Sequence, residues 1–210
     1  MLDKTKRYLV VGLGLLGGKY ALELTRAGFH VDGINRSEGH LQYALEHGYI
    51  AGGKTHDFED LVRQADHIIF GLYPTALLDW FGTYGHLLKP GCIFTDVSGV
   101  KTGLVEPVQA LCPAGVEFIA SHPMAGRETS SVEHAAEVNF APANFIITPT
   151  EKIYRTLAIP GFEAAKADIA AYLDKKKGYK KNAYKYETRT VELVEKHWDY
   201  ALKQWDYKLE

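Results

Sequence analysis

Near the amino end, Gly12-Leu13-Gly14-Leu15-Leu16-Gly17 spaces three glycines as G-x-G-x-x-G. The β-branched run Tyr8-Leu9-Val10-Val11 precedes it, and a segment with helical spacing follows. In that context the pattern builds a cradle for a pyrophosphate. Gly12 permits a tight turn, Gly14 has no Cβ to hold phosphates off the backbone, and Gly17 lets the helix close on the strand. The helix N-terminus adds unpaired N–H groups and a partial positive charge. Gly12, Leu13, Gly14, Leu15, Leu16 and Gly17 are therefore expected to bind a nicotinamide dinucleotide.

The second strand ends in Ile34-Asn35-Arg36-Ser37. An acid at this point normally accepts hydrogen bonds from a ribose 2′-hydroxyl. Asn35 carries no charge to repel a 2′-phosphate, Arg36 can pair with that phosphate and stack on adenine, and Ser37 can donate to it. NADP is thus expected, with NAD as the alternative and a merely solvated Arg36 as the plainer reading. Asp32, the competing acid, falls inside the strand and is expected to point elsewhere.

Two further segments put polar residues just past strand ends, where open α/β sheets bind ligands. They are Asp96-Val97-Ser98-Gly99-Val100-Lys101 and Ser121-His122-Pro123-Met124-Ala125-Gly126-Arg127-Glu128. Histidine is the side chain best suited to take a proton near neutral pH, so His122 is a candidate base for a hydroxyl that loses a hydride. The alternative is an ordinary loop histidine.

These residues need a scaffold, and the pattern supplies one. Strands are expected at 8–12, 29–35, 67–72, 92–97, 116–120 and 145–148, with helices at 17–27, 41–47, 57–64, 76–88 and 102–111. Apolar strands alternating with helices are buried on both faces, which implies a doubly wound, mostly parallel α/β sheet of Rossmann type. Past residue 150 the pattern changes to helical segments at 162–172 and 184–209. A dinucleotide-binding domain is expected over 1–155, followed by a short helical tail over 156–210 whose apolar stripe points to a homodimer.

Composition narrows the class further. The 210 residues carry a net charge of -2, which gives no electrostatic reason to expect nucleic acid or anionic membrane. The lysines at 175–177, 180 and 181 lie among tyrosines but are flanked by acids, as in a solvated connection between helices. Two cysteines, Cys92 and Cys112, form neither a disulfide framework nor a metal-ligand pattern, and no metal is expected. No stretch resembles a signal peptide or a membrane span, so a cytoplasmic protein with a small-molecule substrate is expected.

Gly-Leu-Gly-Leu-Leu-Gly-Gly at 12–18, Asp-Val-Ser-Gly-Val-Lys at 96–101, His-Pro-Met-Ala-Gly-Arg-Glu at 122–128 and Asn-Phe-Ile-Ile-Thr-Pro-Thr at 144–150 resemble the prephenate dehydrogenase family. Relatives that act on arogenate share these features. The His-Pro-Met-Ala-Gly segment is the specific part, and the likeness covers roughly residues 6–150. It implies an oxidative decarboxylation that gives 4-hydroxyphenylpyruvate, or tyrosine from arogenate, in tyrosine biosynthesis. His122 would draw the proton of the ring hydroxyl, with Ser98 assisting beside the cofactor. Lys101 and Arg127 would steady substrate carboxylates, and Leu72-Tyr73-Pro74 would form the loop beside the cofactor. As alternatives, Lys101 would cap a helix and Arg127 would pair with Glu128.

The chain departs from the family pattern in three places. Members often carry Gly-Ser where this chain has Ser98-Gly99, and Ser131 stands where a glycine is usual. The family's helical substrate domain has no recognisable counterpart after residue 150. Two other readings follow: a β-hydroxyacid-dehydrogenase-type oxidoreductase, which would need a catalytic lysine in a long helical domain, or a truncated cofactor-binding module.

Overall fold

The computed structural model describes residues 3–126 and 128–148, together with 161, 163, 166–168, 170, 171 and 174. The chain divides into two compact units, Met1–Pro160 and Gly161–Glu210. In the second unit Glu163, Lys166–Asp168, Ala170, Ala171 and Asp174 are helical, within and just past the helix expected at 162–172. The lysine cluster and the expected helix at 184–209 lie outside the described residues.

The first unit is a seven-stranded sheet. In chain order it comprises β1 (Arg7–Val11), α1 (Leu15–Arg26), β2 (His30–Ile34), α2 (Glu38–Glu46), β3 (Gly52–Lys54), α3 (Glu59–Gln64), β4 (His67–Phe70), α4 (Pro74–Tyr84), β5 (Ile93–Asp96), α5 (Val105–Leu111), β6 (Glu117–Pro123) and β7 (Phe145–Ile147). The strands lie in the order β3-β2-β1-β4-β5-β6-β7. The first six are parallel, and β7 joins β6 antiparallel. This is the doubly wound arrangement, with its switch point between β1 and β4.

Both faces of the sheet are covered, which is why its strands read as apolar runs. Leu9 and Val11 of β1 join Ile68, Phe70, Phe94 and Phe118 in a core packed by α3, α4 and α5. Val10, between them, faces the opposite core with Val31 and Ile69, under α1, α2 and a 3-10 turn over Val132–Glu137.

Several boundaries differ from expectation for local reasons. Pro74 starts α4 two residues early, because a proline at the first helical position loses no hydrogen bond. Gly103, at φ +71°, delays α5 to Val105. The short β3 and the 3-10 turn carry little periodicity and were not expected. The turn packs on α1, where a Cβ on Gly18 would sit 2.9 Å from Val132 Cγ2. Ser131, at the glycine position, holds φ +87°, and its hydroxyl bonds His40 Nε2 (3.0 Å) and the Glu133 carboxylate. Those contacts offset a backbone conformation that glycine takes freely.

Candidate active site

The glycine turn is built by three strand ends. Gly12 donates to the Ile34 carbonyl at 2.8 Å and adopts φ +93°. A Cβ on Gly12 would meet the Gly71 oxygen at 2.7 Å, just past β4. A Cβ on Gly17 would collide with the Gly12 carbonyl, so the helix can approach the turn only if residue 17 is bare. Around Gly14 the situation is reversed, with no atom of the described residues beyond its chain neighbours within 4 Å of an added Cβ. That open space lies at the head of α1, where the N–H groups of Leu15, Leu16 and Gly17 have no intrahelical acceptor. A pyrophosphate fits there on both steric and electrostatic grounds.

Leu13 and Asn35 also hold the turn itself together. Leu13 is fully buried and its N–H donates to Asn35 Oδ1 at 2.9 Å, while Asn35 Nδ2 donates to the Ser37 carbonyl at 3.0 Å. Asn35 is therefore a brace between the glycine turn and the end of β2, with its amide already engaged. Asp32 spends its carboxylate on Arg7 (2.8 Å) and on His30, well inside the sheet. Ser37 caps α2 by accepting from the His40 N–H.

A cleft of about 550 Å³ opens beside the turn. Gly12, Gly14, Asn35, Arg36, Ser37, Leu72 and Tyr73 line it, and Pro74 begins the helix that forms one wall. His40, Thr55, Phe58 and Trp80 line it as well and were missed. Spacing alone carries no signal for them, because they arrive from three separate segments, α2, the loop between β3 and α3, and α4, that only the sheet brings together. Tyr73 is 82% exposed, so its ring is free to pack on a bound ligand.

The imidazole sits at the same carboxyl edge of the sheet. His122 lies within β6, paired to Ile146 of β7, and not in a loop beyond the strand. Its Nδ1 is 2.7 Å from the Val97 carbonyl, which can only accept, so Nδ1 carries the hydrogen. Nε2 is left with its lone pair, as a base requires.

Ser98 is not brought to that nitrogen. Its hydroxyl donates to the Val100 carbonyl (3.1 Å) and accepts from the Val100 N–H (3.3 Å), closing a local turn. Position 99 faces the ring instead, and a side chain there would begin 3.5 Å from Nε2. The swapped Ser98-Gly99 order therefore removes a hydroxyl from His122. Gly99→Ser should fold normally and place a hydroxyl donor at Nε2, where it competes with the substrate for the single lone pair, lowering turnover roughly fivefold for a cost of about 1 kcal/mol. Steady-state rates of the two proteins check this, and an unchanged rate would mean that the hydroxyl does not reach the ring.

Lys101 also departs from expectation. Its ammonium contacts both Asp96 oxygens at 2.6 Å and donates to the Ser121 carbonyl at 2.6 Å. All three hydrogens are used within the protein, so none remains for a substrate carboxylate. Burial raises the Asp96 carboxyl and lowers the Lys101 ammonium, and each charge partly offsets the shift of the other. Arg127 lies outside the described residues.

A Rossmann-type sheet with a pyrophosphate cradle at its switch point and a histidine at its carboxyl edge defines a nucleotide-binding domain of the dehydrogenase class. Residues 20–160 match the family described as "Prephenate dehydrogenase, nucleotide-binding domain", and the chain belongs to that family. The prephenate dehydrogenase of Bacillus subtilis (strain 168) is 31% identical over 147 residues, which cover 69% of this chain and 39% of that protein. Among solved structures, the arogenate dehydrogenase of Synechocystis superposes with a TM-score of 0.63 at 28% identity, over 80% of this chain and 56% of the other. The prephenate dehydrogenase of A. aeolicus, in complex with hydroxyphenyl propionate and NAD+, gives 0.63 at 26% identity, over 70% and 51%. The chain thus spans about half or less of the length of these relatives. Among the described residues no helix is long and apolar enough to cross a membrane.

Proposed function

We propose that this chain binds NADP in preference to NAD and uses it to decarboxylate prephenate, or arogenate, oxidatively on the route to tyrosine. The observation that carries this reading is an imidazole whose Nδ1–H is held by Val97, at the same sheet edge as the open space over Gly14. The amides of Leu15, Leu16 and Gly17 hold the pyrophosphate, and Arg36 with Ser37 receives the 2′-phosphate. The bound nicotinamide supplies a hydride acceptor.

His122 Nε2 accepts a hydrogen bond from the C4 hydroxyl of the substrate ring. As C4 loses its hydride and gains carbonyl character, Nε2 takes the hydroxyl proton. The bond from the ring to its carboxylate then breaks, carbon dioxide leaves, and that electron pair enters the ring. His122 returns the proton to the oxygen, which becomes a phenol. Aromatisation drives the sequence, so the domain's task is to orient the groups and to handle one proton. Residues 1–155 act as the cofactor domain, and two copies associate through residues 156–210.

Absorbance of the reduced nicotinamide tests the reading. Growth with prephenate or arogenate supports it, and growth only with β-hydroxyacids transfers the chain to that class of oxidoreductase. Saturable nucleotide binding without turnover leaves a binding module. The cofactor preference has its own check. Arg36→Ala should weaken NADP about tenfold to a hundredfold and leave NAD unchanged, as expected for one lost charge-assisted contact. Equal weakening of both nucleotides by titration would reject Arg36 as the phosphate reader.

A further inference from the structure

We infer that the buried Asp96–Lys101 ion pair is a positioning device that sets the tautomer and orientation of His122. Its role in catalysis rests on the reaction proposed above, but its effect on the imidazole does not.

Asp96 ends β5 and is fully buried. Its Oδ1 accepts from Lys101 Nζ (2.6 Å) and from the Ser121 N–H (3.3 Å). Oδ2 accepts from Lys101 Nζ (2.6 Å) and from the Ser98 N–H (3.1 Å). Lys101 then donates to the Ser121 carbonyl (2.6 Å). One carboxylate and one ammonium therefore tie together residues 96, 98, 101 and 121.

What these anchors enclose is the base itself. Val97, whose carbonyl holds His122 Nδ1–H, lies between the anchored residues 96 and 98. Gly99, which flanks Nε2, lies between 98 and 101. His122 follows the anchored Ser121. The loop after β5 and the end of β6 belong to neighbouring parallel strands, and no regular ladder bond joins them beyond the Asp96–Ala120 register. The ion pair spans that gap, together with the Ser121 hydroxyl donating to the Asp96 carbonyl at 3.2 Å. A buried pair is a weak source of net stability, and its better-attested use is to specify one arrangement among several. Here that arrangement is the distance from the Val97 carbonyl to the ring. If the loop drifts, Nδ1–H loses its acceptor and the hydrogen is free to move to Nε2, where it blocks proton uptake.

Nitrogen-15 NMR of the histidine imidazoles in the full chain provides the test. The His122 signal is the one absent from His122→Asn. In the unaltered protein it should report an Nδ1–H tautomer. In Lys101→Met the proposal expects that signature to shift toward Nε2–H or an exchanging mixture. It also expects kcat to fall about tenfold or more while KM for the nucleotide stays within about twofold. Lys101→Gln keeps a donor toward Ser121 without the charge and should lie between the two. A folded Lys101→Met with an unchanged His122 signal would overturn the proposal. So would loss of folding in both variants, since the pair would then be holding the domain and not the ring. An inactive chain whose imidazole still responds to Lys101→Met would count against the proposed reaction alone.

Discussion

His122→Asn should lower turnover by ~10² or more and leave nucleotide affinity within about twofold. Asparagine preserves the structural half of the side chain's work. Its Nδ2 can still donate toward the Val97 carbonyl that Nδ1 meets at 2.7 Å, so β6 and its pairing with β7 should persist. What asparagine lacks is a nitrogen lone pair basic enough to take a proton at neutral pH. The nucleotide cradle lies across the sheet, at the ends of β1, β2 and β4, and shares no hydrogen bond with His122 among the described residues. A rate measurement paired with a nucleotide titration separates the two halves of the site. Unchanged turnover would remove His122 from the chemistry.

The second large effect contrasts two glycines three residues apart. Gly14→Val should fold as the parent does and weaken nucleotide binding by about a hundredfold. Its backbone, at φ -88° and ψ -159°, accepts a β-branched residue, and among the described residues no atom beyond the chain neighbours lies within 4 Å of the new Cβ. The space it fills is the ligand's, so the cost falls on binding. Gly17→Ala should do the opposite first. Its methyl collides with the Gly12 carbonyl, and the helix must move off the strand. Overpacking of that kind costs roughly 1–3 kcal/mol, or about 2–12 °C in melting temperature for a domain of this size. Thermal unfolding and nucleotide titration of the two variants form one experiment. A destabilised Gly14→Val with normal affinity would contradict the cradle.

Both contrasts turn on features of very different legibility. The glycine turn is local, since strand, turn and helix follow one another within about a dozen residues, and each glycine has a steric reason that sequence alone can supply. The alternation of apolar strands with helices is equally readable, because a sheet covered on both faces leaves continuous hydrophobic runs. His122 could be singled out by its chemistry and its place near a strand end. The strand at 145–148 was legible too, as an apolar run, but its antiparallel pairing with β6 was not, because nothing in the residues of an edge strand records the direction in which it joins the sheet.

What the sequence determined by itself was the sheet, the pyrophosphate cradle and the candidate base. All three follow from short-range steric and burial patterns. Tertiary structure alone decided the partners. It engaged Asn35 as a brace for the glycine turn, committed Lys101 to Asp96, and put Gly99 where Ser98 was expected. Such assignments depend on angles and distances between segments far apart in the chain. Side-chain direction at a strand end changes with one residue of offset, and nothing in the spacing of residue types records it.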